Sequence, residues 1–292
     1  MQKISELLIK NTPTLSFEVF PPKAADNYEN VKGAALKIAR LHPTFMSVTY
    51  GAGGGTRAFT GSIAGEIAAS TPVPSLAHLT CVASTKESVD EALAFYAERG
   101  VTNILALRGD LPAGMEALPG DAAFQHASDL TAYIKSKGDF CIGGACYPEG
   151  HPEAASKDAD IQNIKKKVEA GCEFLTTQMF FENSIMFNYM YRLREAGIRV
   201  PVCAGIMPIT NANQVKRAIQ LSGSIMPPRF LALVDKFGHD PKAMKQAGIA
   251  YATDQIIDLI ANDITHIHVY SMNKPEIAEA ICRNLSDIIP LE

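Results

Sequence analysis

Three observations predict a (β/α)8 barrel. Strand-like apolar runs alternate with helix-like segments from end to end, which is the pattern of a parallel sheet with crossover helices. The count is eight of each kind. The length of 292 residues is one that such barrels routinely fill as a single domain. One domain over 1–292 is expected, because no Pro-, Gly- or Ser-rich linker, internal repeat or low-complexity tract interrupts the chain.

The first strand, 14–20, alternates. Leu15, Phe17 and Val19 fall on one face and Ser16, Glu18 and Phe20 on the other, before Pro21 and Pro22 stop the strand. Further strands are expected at 45–50, 74–81, 102–107, 140–146, 173–178, 200–206 and 264–270. Helices are expected near 26–41, 57–70, 86–99, 122–137, 158–170, 183–196 and 211–221, with a last one at 274–286. The spacing breaks once, between strands seven and eight. There 222–263 is too long for one loop and carries an extra helix near 240–262, so it reads as an insertion within the barrel.

Composition narrows the function. A hydrophobic share of 47% supports one large core. A net charge of -4, with no basic tail or long run of like charge, suggests no nucleic-acid or membrane surface. The N-terminus carries charges where a secretion signal needs an apolar run, and no segment reaches the length of a membrane span, so a cytoplasmic protein is expected. The six cysteines, at 81, 141, 146, 172, 203 and 282, are scattered without Cys-x-x-Cys spacing and read as reduced core thiols. No metal-site pattern is present.

In barrels of this kind the chemistry gathers at the C-terminal strand ends. Polar residues recur there: Glu18; Thr49 and Tyr50; His78; Arg108, Gly109 and Asp110; Tyr147 and His151; Gln178; Asn273 and Lys274. Each alone has a structural explanation, but their recurrence at one face argues for a site. Glu18 is a lone carboxylate in a strand whose interior solvates its charged form poorly. That raises its proton affinity toward neutral pH, as a general acid requires. A structural ion pair with Arg or Lys is equally open at this point.

The glycine run Gly51–Thr56 does not fit Gly-x-Gly-x-x-Gly, and no Walker pattern occurs, so neither a Rossmann nor a P-loop nucleotide site is expected. Lys165–Lys167 reads as a solvated helix face. Asp160, Asn163 and Lys167 nevertheless recur at i, i+3 and i+7 and share one face, which would aim polar groups at a ligand above the barrel.

Six segments together resemble the 5,10-methylenetetrahydrofolate reductase family over nearly the whole length. They are SFEVFPP (16–22), SVTYG (47–51), AHLTC (77–81), LALRGDLP (105–112), YPEGHPE (147–153) and TTQMF (176–180). The resemblance implies a barrel holding non-covalent FAD at its C-terminal face and a ping-pong cycle. NADH or NADPH reduces the flavin and leaves, and 5,10-methylenetetrahydrofolate takes its place and is reduced to 5-methyltetrahydrofolate. By position Glu18 resembles the family's general acid, protonating the folate as its ring opens to an iminium. Asp110 matches an aspartate near flavin and folate. Tyr50, His78, Arg108, Gly109, Ala127, Ala145, Tyr147, His151, Asp160, Asn163, Lys166 and Lys167 match positions that hold FAD, with Arg108, Lys166 and Lys167 offsetting its pyrophosphate. Thr49 and Gln178 match positions that meet nicotinamide or folate, and Lys274 a position that meets folate.

Three departures stand out. Lys166 and Lys274 replace arginines common in the family, keeping charge but losing the bidentate fork. His126 stands where an aromatic Tyr is familiar. The resemblance to the longer eukaryotic members ends with the last helix, so inhibition by S-adenosylmethionine through their C-terminal domain is not expected. A homo-oligomer is expected. The alternatives are a barrel flavoprotein of the proline dehydrogenase kind, or a non-catalytic folate- or flavin-binding subunit.

Overall fold

The computed structural model describes residues 2–9, 12–50, 57–82, 84–111, 114, 118–120, 122–222 and 224–290. Among them, strands β1 (Thr14–Val19), β2 (Met46–Val48), β3 (Ser75–Thr80), β4 (Asn103–Leu107), β5 (Cys141–Cys146), β6 (Phe174–Thr177), β7 (Val202–Ile206) and β8 (His266–Tyr270) close into one barrel in sequence order. All neighbouring pairs are parallel. The predicted (β/α)8 architecture, with its insertion between strands seven and eight, is the observed one.

A short helix α1 (Ile4–Leu7) precedes the barrel. Crossover helices α2 (Tyr28–Ala39), α3 (Arg57–Ser70), α4 (Lys86–Ala97), α5 (Ala127–Lys137), α6 (Lys157–Glu169), α7 (Asn183–Glu195) and α8 (Asn213–Ser222) follow β1 to β7 in turn. The insertion continues through α9 (Pro228–Phe237) and α10 (Pro241–Ala261), and α11 (Pro275–Asn284) follows β8.

Local chemistry explains these elements. In α4, Val89, Ala92, Leu93 and Tyr96 recur at helical spacing and face the sheet, and Thr85 and Ser88 form a reciprocal capping box. Ser156 caps α6, and Asp240 caps α10 ahead of Pro241 at its first position. Gly171 (φ 111°) and Gly197 (φ 81°) end α6 and α7 in the left-handed region that side chains disfavour. The start of α5 is later than the sequence suggests. Asp129 accepts from the backbone N–H groups of Gln125 and His126, both at 2.9 Å, and so sets the helix entry there.

Inside the barrel, side chains alternate strictly. The lower interior is apolar, with Phe45, Leu76, Leu105, Cys141, Phe174 and Cys203 packing together, and Ile4 and Leu8 plug it from below. Asn103 ties the plug down, accepting from Ile4 N at 3.0 Å. Five of the six cysteines are buried, as their apolar runs imply. Two helices were not legible: α1, which is only four residues long, and α9, where Pro227-Pro228 reads as a break although Pro228 simply occupies the first helical position.

Gly205 faces inward on β7, where a β-carbon would meet the Thr177 carbonyl and lie 2.7 Å from the Tyr270 hydroxyl. Because backbone must move, Gly205→Ala should lower unfolding free energy by about 2–3 kcal/mol in urea titrations. Gly33→Ala in α2, where a β-carbon meets nothing within 4 Å, should instead add about 0.5–1 kcal/mol.

Candidate active site

Period-two alternation sends Ser16 and Glu18 of β1, Ser47 of β2, His78 of β3 and His268 and Tyr270 of β8 into the upper barrel. They lie beneath or within a cavity of about 540 Å³ at the C-terminal mouth. Glu18, Phe20, His78, Leu105, Leu107, Asp110, Ala145, Tyr147, Thr176, Thr177, Gln178, Met179, Met207, Gln214, Ala218, Tyr270 and Met272 line it. A second cavity of about 410 Å³ opens at the opposite, N-terminal end, by Leu8, Arg194 and Thr265, away from this polar cluster.

Glu18 stands between two imidazoles. One carboxyl oxygen, Oε2, lies 3.5 Å from His78 Nε2 and 3.6 Å from His268 Nε2. Among the described residues no lysine or arginine pairs with it. The structural ion pair that the sequence leaves open is therefore absent among them. His78 is buried, and burial pushes its imidazole down to about 4, with Glu18 pulling upward and His268 pushing further down. It is neutral at physiological pH, with Nε2 lying 2.6 Å from Ser47 Oγ.

A donor count settles the other imidazole. Ser16 Oγ lies 3.0 Å from the Ile267 carbonyl and 2.8 Å from His268 Nδ1. A carbonyl only accepts, so the single hydroxyl proton goes to Ile267 and Nδ1 carries the N–H that Ser16 accepts. The other ring nitrogen, Nε2, is the one that faces Glu18. Phe45 stacks on this ring at 5.6 Å and 15° and holds it. Tyr270, its phenol raised by burial, donates to the Thr177 carbonyl at 2.5 Å.

Two amides form the opposite wall. Gln178 Oε1 accepts from Met179 N at 2.9 Å. Gln214 Oε1, in the first turn of α8, accepts from Thr210 N at 2.9 Å and Asn211 N at 3.0 Å. With both carbonyls engaged, the cavity wall offers the NH2 donors.

The remaining expected residues extend along the tops of β4, β5 and α6. Arg108 binds both oxygens of Glu153, through Nη1 to Oε2 at 2.5 Å and Nη2 to Oε1 at 2.7 Å, and its Nε donates to the Gly109 carbonyl at 3.2 Å. Gly109 has φ 88°, and a β-carbon there would sit 3.0 Å from Thr80 Cβ. The rings of Tyr147 and His151 meet edge to face at 4.6 Å. His151 N donates to Asp160 at 3.3 Å, and Lys167 Nζ to the Ala145 carbonyl at 2.8 Å. Burial raises the Asp160 carboxyl and lowers the Lys167 amine.

Not every expected residue reaches the cavity. Glu18, His78, Asp110, Ala145, Tyr147 and Gln178 line it. Arg108, Gly109, His151, Asp160 and Lys167 adjoin it through Ala145 and Tyr147. Asn163 and Lys166 are exposed on α6, and Ala127 is buried at the start of α5. Thr49 is tied to the tops of β1 and α3, donating its N–H to Val19 and accepting from Thr60 Oγ1, and Tyr50 packs on the core. Lys274 stands at the entry to α11 beside Asn273, whose amide brackets the Phe20 backbone with two 2.9 Å bonds. The glycine run Gly51–Thr56 lies outside the described residues. Sequence reasoning missed Ser16, Ser47, His268, Tyr270 and Gln214. The alternation His266, His268, Tyr270 in the last strand is the signal that exposes two of them.

Fold and site define a (β/α)8 barrel with a carboxyl between two imidazoles and two fixed amides at its C-terminal mouth. A family model described as methylenetetrahydrofolate reductase matches residues 3–286. The 5,10-methylenetetrahydrofolate reductase of Pectobacterium carotovorum is 35% identical over 97% of this chain and 93% of its own. That of Escherichia coli is 35% identical over 93% of this chain and 90% of its own. The Arabidopsis thaliana methylenetetrahydrofolate reductase (NADH) 1 is 34% identical over 98% of this chain but only 50% of the plant protein. A Clostridium thermocellum protein that binds two copies of 5-methyl-5,6,7,8-tetrahydrofolic acid shares the fold, with TM-score 0.65, 14% identity and coverage of 98% of this chain and 99% of that one.

The chain belongs to the methylenetetrahydrofolate reductase family, a family of oxidoreductases. Among the described residues no helix is long and apolar enough to cross a membrane.

His78 gives this site a pH signature. Its folded pKa of about 4 lies below the unfolded 6.5, so the unfolded chain binds the proton first as pH falls. The stability His78 contributes is complete above 6.5 and is lost progressively down to about 4. Between pH 7 and 4.5 wild type should lose about 2–3 kcal/mol more than His78→Gln in urea unfolding.

Proposed function

We propose that this chain reduces 5,10-methylenetetrahydrofolate to 5-methyltetrahydrofolate in a ping-pong cycle on bound FAD, with NADH or NADPH as donor. The observation that carries this reading is the Glu18 carboxyl held between two imidazoles on the floor of a cavity, with no basic side chain paired to it among the described residues.

The donor set fits a flavin dinucleotide. Arg108 supplies a planar fork and Lys166 an exposed amine for phosphate, while Asp160 accepts hydroxyl protons and the Tyr147–His151 ring pair offers an apolar edge. Gly109 keeps the backbone open beside Thr80, where a β-carbon would crowd the wall. When bound, FAD would take two electrons from the nicotinamide and deliver them to the folate one-carbon unit.

The chain's own residues handle the proton and the charge. Glu18 would donate to the folate nitrogen whose bond to the bridging methylene breaks. Among the described residues its ion-pairing neighbours are the imidazoles of His78 and His268, with no lysine or arginine paired to it. Asp110, which lines the same cavity, would stabilise the positive charge of the ring-opened iminium. Gln178 and Gln214 present donors to carbonyl and ring-nitrogen acceptors of the ligand.

The two half-reactions separate these roles in stopped-flow measurements. With Glu18→Gln, flavin reduction by nicotinamide should persist within about tenfold, while reduction of the folate falls by about 10²–10⁴. Equal slowing of both would remove Glu18 as the proton source, and a purified protein that neither contains nor takes up FAD would overturn the cofactor. Gln178→Ala and Gln214→Ala should each weaken folate binding by about five- to tenfold in equilibrium titrations, since each removes one fixed donor.

A further inference from the structure

Arg108 is engaged before any cofactor is considered. Its side chain is only 24% exposed, and three of its five N–H donors are used, one on Gly109 and two on the paired oxygens of Glu153. Glu153 is placed differently. It belongs to the loop between β5 and α6, its side chain is 55% exposed, and among the described residues its carboxylate oxygens are bound by Arg108 alone. The attraction is mutual: Glu153 raises the guanidinium further, and Arg108 lowers the carboxyl. A carboxylate presenting two oxygens side by side to a guanidinium has the geometry that two phosphate oxygens adopt on the same fork.

We propose that Glu153 is a stand-in for cofactor phosphate: it occupies the Arg108 fork in the flavin-free protein and swings to solvent when the FAD pyrophosphate takes its place. This rests on the FAD reading above. Leaving costs Glu153 little, because a half-exposed pair is weak and the freed carboxylate hydrates at once. Staying is unfavourable, because a carboxylate beside a bound phosphate is like-charge repulsion. Arg108 gains the more highly charged partner and is never left unpaired in its partly buried position. Flavin affinity is therefore a difference between two occupants of one fork, and the sequence lowers it deliberately.

The test uses the full-length protein. FAD release on dilution of the holoprotein is followed by recovery of flavin fluorescence, and ADP binding to flavin-stripped protein is measured by calorimetry. Glu153→Gln should tighten both FAD and ADP by about two- to fivefold, the size of one half-exposed ion pair. In an Arg108→Ala background the same substitution should change neither. Weaker binding in Glu153→Gln would show that Glu153 orients the fork instead of competing for it, and unchanged binding would show that the pair survives beside the cofactor. Either result overturns the exchange. The ADP measurement needs no flavin, so absence of an Arg108-dependent gain with ADP rejects the exchange even if FAD is not the cofactor. Failure of wild type to hold FAD, with the ADP gain intact, rejects only the FAD reading.

Discussion

Pairing of β1 with β8 closes the barrel and creates its chemistry in the same act. The register sets Thr14 against His266, Ser16 against His268 and Glu18 against Tyr270. All six side chains face inward, so the closing seam is polar from bottom to top. Buried polar groups need partners, and these supply one another: Thr14 Oγ1 lies 3.0 Å from His266 Nδ1 and Ser16 Oγ 2.8 Å from His268 Nδ1. Slipping β1 by one residue would put Leu15, Phe17 and Val19 in their place and take the Thr14 and Ser16 hydroxyls away from His266 and His268. Register and active-site geometry are therefore one constraint.

The seam also explains why the acid is flanked by imidazoles. A lysine or arginine at either flanking position would set a full positive charge against the carboxyl, which favours its ionised form. An apolar residue would leave its position undefined. An imidazole accepts or donates according to its partner; Ser16 holds Nδ1 of His268 from behind, while Ser47 meets the same Nε2 of His78 that faces Glu18. The cost falls on stability, since a buried histidine that stays neutral disfavours folding as the medium turns acid. Function-bearing sites commonly carry such penalties.

How much of this could be read from the chain depends on the range of each signal. The barrel strands were legible within one or two residues at most ends, because both faces are buried and each reads as an apolar run bounded by turn residues. The insertion was legible as excess length, but α9 was not, since proline at a first helical position and proline in a loop look alike in sequence. Glu18, Asp110 and Gln178 were locatable because they lie in specific motifs, and the structure brings all three to one cavity. Gln214 was not, as a glutamine in the first turn of a surface helix looks like any other. Nor was the Arg108–Glu153 pair, whose partners are 45 residues apart and meet only because adjacent strands bring their loops together. Periodicity reports which face a residue occupies. It does not report which loop residue completes its hydrogen bonds.

In the proposed cycle the two glutamines would let a single cavity serve two ligands in succession. An amide with a free carbonyl can rotate and present either end, so its recognition is ambiguous. Here Met179 N takes one lone pair of the Gln178 carbonyl, and Thr210 N and Asn211 N fill that of Gln214, which fixes both amides with their NH2 groups free to donate. The cavity therefore selects for ligands with acceptors at two separated points, not for one particular ring. A nicotinamide carries a carboxamide oxygen, and a folate carries a ring carbonyl and ring nitrogens. Both satisfy the same pair of donors, which suits the proposed cycle in which one leaves before the other enters. Discrimination between them then falls to the group that only one needs. In the proposed cycle that group is Glu18, which the folate step would use and the nicotinamide step would not.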